Sequence, residues 1–267
     1  MSIRDQVAIA NQRVWEEEVK RGCGCCIPWL DLDVSSLRQY ADGKQEFLPV
    51  PEPLNYIYPA SILAHIEGQD VLCLASGGGQ QSAVFGLLGA RVTVLDFCEG
   101  QLAGDRKAAE HYGYDVTTIQ GDMRDLSELA DNSFDLVYGT GTAYVPDVRE
   151  VFVGVARVIR AGGIYRADFW NPYTEFVDCT DWDGVGYRIT TPHAQKERRR
   201  PDGMIEFRNY LDEVFNGLLD TGFSIERVSV LPRTLPDPKD EPGSYRHCDA
   251  FMHWAYAVLA RMGEGPS

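Results

Sequence analysis

The chain has 267 residues, 44% of them apolar, which is enough for a sizeable core and for one large domain or one with an appendage. Its formal charge of -15 repels phosphate backbones, so nucleic acid is not the expected partner. No apolar run reaches the length of a membrane span, the N-terminus has no secretory apolar region, and seven scattered or clustered cysteines read as reduced thiols rather than a disulfide framework; the expectation is a cytoplasmic protein.

In chain order, residues 4–20 read as a helix with Val7, Ala10, Val14 and Val19 on its apolar stripe and Glu16 to Glu18 on the wet side. GCGCCIPWLD follows, then a mixed stretch over 31–56 that Pro49, Pro51 and Pro53 hold extended. A short helix is expected from Pro59 to Ile66. From there strands and helices alternate. DVLCLA, RVTVLDF, DVTTIQ, FDLVYGT and IYRADF are the strands; QSAVFGLLG, EGQLAGDRKAAEHYG and DVREVFVGVARVIRAGG are the helices, the last closed by Gly162 and Gly163. This alternation predicts an α/β fold, a doubly wound, mostly parallel sheet covered on both faces, with a ligand-binding edge at the strand C-termini. Beyond Phe169, GVGYRITT and GMIEFRNYL read as antiparallel strands around the basic turn Arg198–Arg200. NYLDEVFNGLLDTG reads as a helix, and FSIERVSVL and FMHWAYAVLAR as a closing antiparallel pair.

The segment VLCLASGGGQQSAVFGLLGARVTVLDF concentrates the chemistry. Ser76-Gly77-Gly78-Gly79 falls where a strand turns into a helix, and glycine there admits positive φ and close approach of a ligand to the backbone. The dinucleotide pattern G-x-G-x-x-G fails at its third glycine, where Ser82 stands, and the phosphate-loop lysine is missing. Asp96, ending the second strand, suits two vicinal ribose hydroxyls. Gly121-Asp122-Met123 follows the third strand, with an acid for an adenine amino group and a thioether for the ring face.

On these residues the chain resembles the class I S-adenosylmethionine-dependent methyltransferases, in the small-molecule, type 11-like group. The resemblance spans residues 66–262 and rests on LASGGG, Asp96, Asp122, FDLVYGTGTAYVPD, RVIRAGGIYRADF and NYLDEVFNGLLDTGFSIERV. Ala75 stands where a first glycine is usual. The resemblance implies a seven-stranded Rossmann-like sheet whose last strand is antiparallel, S-adenosylmethionine as methyl donor and S-adenosylhomocysteine as product. It implies cofactor contacts from Tyr58, Ala75, Ser76, Gly77, Gly79, Asp96, Phe97, Asp122, Met123, Gly139 and Thr140. A second reading is a non-catalytic adenosyl-binding scaffold or sensor; a third, a nicotinamide oxidoreductase, needs the missing glycine.

The acceptor wall is expected from Trp15, Trp29, Tyr144, Trp170, Asn171 and Tyr173, with Tyr144, Asp168 and His193 as catalytic candidates. Amine or thiolate acceptors need no strong base, so the acceptor atom (N, O, S or C) stays open, as does the oligomeric state. Cys23, Cys25 and Cys26 are three thiols of the kind that take zinc or a thiophilic metalloid, but the C-x-C-C cluster has no evident fourth ligand, and the expectation there is a lid loop with no metal. The expected organisation is a cap over 1–65, a cofactor core over 66–169, a substrate-side insert over 170–208 and a sheet-completing segment over 209–267. No nucleic-acid or membrane partner is expected.

Overall fold

The computed structural model describes residues 5–46, 57–139, 142–231 and 236–264. The N-terminal region supplies α1 (Gln6–Arg21) and α2 (Val34–Ala41). The alternating region follows as β1 (Asp70–Leu74), α3 (Gln81–Leu87), β2 (Arg91–Asp96), α4 (Glu99–Tyr112), β3 (Val116–Gln120), β4 (Phe134–Gly139), α5 (Val148–Val158) and β5 (Ile159–Trp170). A small hairpin, β6 (Glu197–Arg199) and β7 (Ile205–Phe207), precedes α6 (Leu211–Asp220), β8 (Phe223–Leu231), α7 (Tyr245–Phe251) and β9 (Ala255–Met262).

Seven strands form one sheet in the order β3-β2-β1-β4-β5-β9-β8. The first five are parallel; β9 runs antiparallel to β5 and β8 antiparallel to β9. The strand order reverses between β1 and β4, and the crevice at their C-terminal ends is where such sheets bind ligands. Two cores cover the faces because side chains alternate along each strand. Leu72 and Leu74 point to the core with Val151, Phe152 and Val155 of α5 and Val214 and Leu218 of α6. Val71 and Cys73 point to the other, with Val84 and Phe85 of α3, Leu102 of α4 and Leu37 of α2. Asp147 caps α5 through a bond from the Arg149 N–H (2.9 Å).

Five details differ from expectation. The buried stripe of α1 is Ala8, Asn11 and Val14 rather than Val7, Ala10, Val14 and Val19. Glu16 leaves the wet side to accept from the Glu99 N–H (2.8 Å). The helix reads differently because Asn11 is buried as a bridge: it accepts from the Ile205 N–H (2.7 Å) and donates to the Ile205 carbonyl (2.9 Å). In the mixed stretch α2 forms, capped by Asp33 accepting from the Ser36 N–H (2.8 Å); the three prolines lie outside the described residues. The α5 helix ends at Val158, because Ile159 already pairs with Phe134, and the double glycine is an irregularity inside β5 with Gly162 at φ 75°. In the insert, Ile205–Phe207 pairs with Glu197–Arg199, so the expected basic turn is itself a strand and GVGYRITT supplies only the bridge from Tyr187 to Trp182. Finally, α7 takes the start of the expected last strand, with Ser244 accepting from the His247 N–H (3.2 Å) at its cap.

Candidate functional site

At the switch point lies a cavity of about 1290 Å³, lined by the segments that follow β1, β3 and β4, by the ends of β2 and β5, by α1, and by the hairpin β6–β7. Its sheet side begins at the glycine turn. Gly77 has no room for a side chain: a Cβ would fall 2.7 Å from Gln101 Cβ and 3.1 Å from Asp96 Oδ2. The Gly77 N–H donates to Asp96 Oδ2 (3.2 Å), and the Cys98 N–H donates to Asp96 Oδ1 (2.9 Å). Asp96 is 5% exposed, and burial pushes its carboxyl up to about 6 against the pull of those two backbone donors.

Behind the turn stands Asp105, on the buried face of α4. It accepts from the N–H groups of Gly78 (3.1 Å) and Gly79 (2.9 Å) and from the Ser82 hydroxyl (2.5 Å). Burial raises its carboxyl to about 7. Gly79 serves this packing and is absent from the cavity wall: a Cβ there would meet the Gly104 carbonyl oxygen at 2.4 Å and Pro28 Cβ at 2.8 Å. Ala75, with φ 49°, opens the turn in the left-handed region that glycine occupies more easily.

Past β3, Asp122 and Met123 line the cavity. The Asp122 carboxylate accepts from the Arg124 backbone N–H (2.9 Å) and from its guanidinium (2.6 Å at Oδ2). Arg124 reaches on to Asp5, the N-cap of α1 (2.7 Å), and this pairing holds the Asp5 carboxyl down at about 2. Gln12 of α1 donates to the Phe97 carbonyl (2.7 Å). The first helix is therefore stitched to the same edge of the sheet as the glycine turn and Asp122.

The opposite wall is built from distant segments. Trp15 of α1 meets Tyr144 edge-on, with centroids 5.9 Å apart. Burial raises the Tyr144 hydroxyl. Asp168 ends inside β5, ion-paired at 2.6 Å to the fully buried Arg166, which also lies over the Tyr138 ring and donates to the Tyr58 carbonyl (2.6 Å). Trp170, Glu175, Trp254 and Glu206 complete this wall. Glu206 is held by Arg198 (2.5 Å) and Arg200 (3.4 Å). Glu175 is 4% exposed, and neither of its oxygens has a hydrogen-bond partner among the described residues. Burial and then the charge of Glu206 push it up to about 8, against Arg198 and Arg208.

Of the residues expected from sequence, Trp15, Tyr58, Ala75, Ser76, Gly77, Asp96, Phe97, Asp122, Met123, Tyr144, Asp168 and Trp170 share this cavity. Others lie off its wall. Trp29 is in the core with Leu37 and Phe85, its N–H donating to the Gly79 carbonyl (3.1 Å). Gly139 packs under Tyr165. Asn171 turns the chain and donates to the His253 carbonyl (2.9 Å). Tyr173 is exposed beside His193, and His193 stacks on Tyr210 at 4.4 Å. Thr140 lies outside the described residues. Asp105, Gln101, Arg124 and Glu175 were missed. Asp105 carried a signal, since it shares a helical face with Leu102 and Ala109; Glu175, in NPYTEFVD, carried none.

A parallel sheet with a glycine turn and a strand-end acid at its switch point defines a Rossmann-like cofactor-binding protein. The family profile described as a methyltransferase domain matches residues 72–167. The uncharacterized methyltransferase YbaJ of Bacillus subtilis is 31% identical over 231 residues, 80% of this chain and 87% of that protein. An S-adenosylmethionine-dependent methyltransferase of Mesorhizobium loti superposes with a TM-score of 0.62 at 24% identity, covering 77% of this chain and 97% of that one. A Listeria monocytogenes structure described as a putative enzyme of the same kind superposes at 0.60 with 17% identity, over 74% and 93%. The chain belongs to the class I S-adenosylmethionine-dependent methyltransferases of the type 11-like group: it is an enzyme that moves a methyl group from S-adenosylmethionine to a small molecule. No helix among the described residues is long and apolar enough to cross a membrane.

Proposed function

We propose that Asp96 holds the ribose of the cofactor, that Asp122 and Met123 take the adenine with Phe97 beside it, and that Ala75 to Gly77 pass under the amino-acid end. The observation that carries this reading is the Asp96 carboxylate. Each of its oxygens already accepts one backbone N–H, which leaves a lone pair on each for two hydroxyl donors. Gln101 Oε1, buried on the same wall without a partner among the described residues, is a further acceptor suited to a cofactor donor. When bound, the cofactor supplies an electrophilic sulfonium methyl.

The chain's own part is to align an acceptor behind that methyl and to remove its proton. Trp15, Tyr144, Trp170 and Trp254 form an apolar wall for a small, partly apolar molecule. Glu175 takes the proton from a weakly acidic hydroxyl or a protonated amine; its pKa near 8 matches it to such groups, and Glu206, ion-paired to two arginines, leaves Glu175 as the carboxyl without a hydrogen-bond partner among the described residues. Asp168, paired to Arg166, serves to position β5 and Tyr58 rather than to accept a proton. Residues 1–65 and 170–208 act as the acceptor-side cover, and residues 66–169 with 209–267 as the cofactor-holding sheet. The acidic surface disfavours a nucleic-acid acceptor, and seven free thiols suit the reducing cytoplasm.

Calorimetric titration with S-adenosylmethionine, S-adenosylhomocysteine and NAD tests the cofactor assignment. Selective binding of the two adenosyl compounds is the expected result. Binding of NAD alone would overturn it.

A further inference from the structure

The Sγ atoms of Cys23, Cys25 and Cys26 all lie within 4.8 Å of one another, and those of Cys23 and Cys25 are 3.3 Å apart. In the sequence Cys23 and Cys26 stand two residues apart with Cys25 between them, and what the pattern lacks is an evident fourth ligand. The fold gathers the three thiols. The segment Gly24–Cys26 is a single 3-10 turn, closed by the Cys26 N–H on the Cys23 carbonyl (2.8 Å), which brings all three sulfurs to one side. Three thiolates about 2.3 Å from a tetrahedral zinc-like cation sit roughly 3.8 Å apart, between the two distances given above.

The turn is also held before any ion arrives. Gly22, at φ 70°, ends α1 and directs the chain into it. Gln80 donates to the carbonyls of Gly24 (2.8 Å) and Ile27 (2.9 Å) from the far side of the glycine turn. Cys26 is buried, Cys25 exposed and Cys23 between the two, and Cys23 and Cys25 both line the cavity.

We propose that Cys23, Cys25 and Cys26 form a three-sulfur site for a soft, thiophilic d10 cation such as Zn2+ or Cu+, with its remaining coordination position open to the cavity. Three deprotonated sulfurs are the ligand set that selects such ions over hard, oxygen-seeking ones. On binding, each ligating thiol gives up its proton to solvent and forms a sulfur–metal bond, with no change in oxidation state. A divalent ion with all three sulfurs leaves the centre at one net negative charge, and uptake strengthens as pH rises. The site adjoins the cofactor turn: a Cβ at Gly78 would meet the Cys25 carbonyl oxygen at 3.1 Å. The inference does not depend on methyl transfer and stands or fails separately from it.

The test is titration of the reduced, full-length protein with Cd2+ under anaerobic conditions, read by thiolate-to-metal charge-transfer absorption, with Zn2+ as competitor. One equivalent is expected, displaced by Zn2+. The band is expected to weaken in Cys25→Ser, whose exposed side chain is not needed for folding, and in Cys23→Ser, and to stay unchanged in Cys179→Ser. Absence of a stoichiometric band in the reduced protein would overturn the proposal. So would a band that survives in the Cys23→Ser/Cys25→Ser double variant, or retention of the band in Cys25→Ser with its loss in Cys179→Ser.

Discussion

The two sides of the cavity are built in opposite ways. The sheet side draws its groups from the first residues after successive parallel strands: Ala75 to Gly77 after β1, Asp96 and Phe97 at the end of β2, and Asp122 and Met123 after β3. Each is placed by a strand end, and parallel register brings all of them to one edge. The opposite side, proposed for the acceptor, collects Trp15 from α1, Tyr144 after β4, Glu175 from the insert, Glu206 from β7 and Trp254 just before β9. Their meeting depends on how a helix, a hairpin and an irregular segment dock. The sheet side is thus a local consequence of the strand–turn–helix repeat, while the opposite side depends on tertiary docking.

Substitutions should separate the two sides, beginning with the largest effect. Glu175→Gln is expected to lower kcat by roughly 10²- to 10⁴-fold while cofactor affinity holds, because it removes only the proposed proton acceptor. Wild-type kcat should rise with pH toward about 8, where Glu175 ionises, and that limb should vanish in the variant. Retention of the limb in Glu175→Gln would move the base elsewhere.

Asp96→Ala should act on the other side alone, weakening S-adenosylhomocysteine binding by about 10²-fold or more, the loss of two hydrogen bonds to a charged acceptor. Since burial raises this carboxyl to about 6, wild-type affinity should increase as pH rises through that value and the acceptor becomes ionised. Unchanged affinity in Asp96→Ala, read by calorimetry, would remove the ribose assignment. The same shift has the opposite effect on folding. Between the usual carboxylate value and about 6 the native state holds a proton that the unfolded chain has lost, so this group's contribution to stability declines as pH rises through that window.

Arg124→Ala should blur the division. Its guanidinium, nearly buried between Asp122 and Asp5, joins the sheet edge to the start of α1. Leaving Asp122 without its buried partner should cost about 3 kcal/mol of stability, and both KM for the acceptor and cofactor affinity should worsen. A thermal melt together with the two binding curves would show whether α1 belongs to one side or to both.

Ala75→Gly is the smallest change and should touch neither side's selectivity. Replacing alanine at φ 49° should stabilise the fold by about 1 kcal/mol, visible as a higher Tm. A lower Tm would mean that the Ala75 methyl packs better than its backbone is strained.

Among the elements, those with a clear period were legible. The alternation from Asp70 to Phe169 predicted β1 to β5 and the helices between them, and β8 was read almost to the residue. Misreadings fell where tertiary contact competes with local pattern. Ile159 and Arg160 look helical in sequence but belong to β5, where Ile159 pairs with Phe134. Arg198–Arg200 looks like a basic turn, yet Glu197–Arg199 pairs with Ile205–Phe207, with Glu206 facing Arg198. His193 drew notice as an ionisable residue, yet it stacks on Tyr210 away from the cavity.

By itself the sequence determined the doubly wound sheet, the strand-end edge that carries the cavity, and the glycine turn with its following acids. These depend on hydrophobic period and on residues a few positions from a strand end, both of which are local properties of the chain. Only the tertiary structure decided that Asp105 would brace the glycine turn, that Glu175 would lie buried beside a Glu206 already ion-paired to Arg198 and Arg200, and that three cysteines would turn their sulfurs together. Burial, pairing and solvent exclusion set the chemistry of a carboxyl or a thiol. They arise from segments that meet only when the chain has folded: Glu175 with Glu206 and Arg208, Asp105 with Gly78 and Gly79, and the cysteine turn with Gln80.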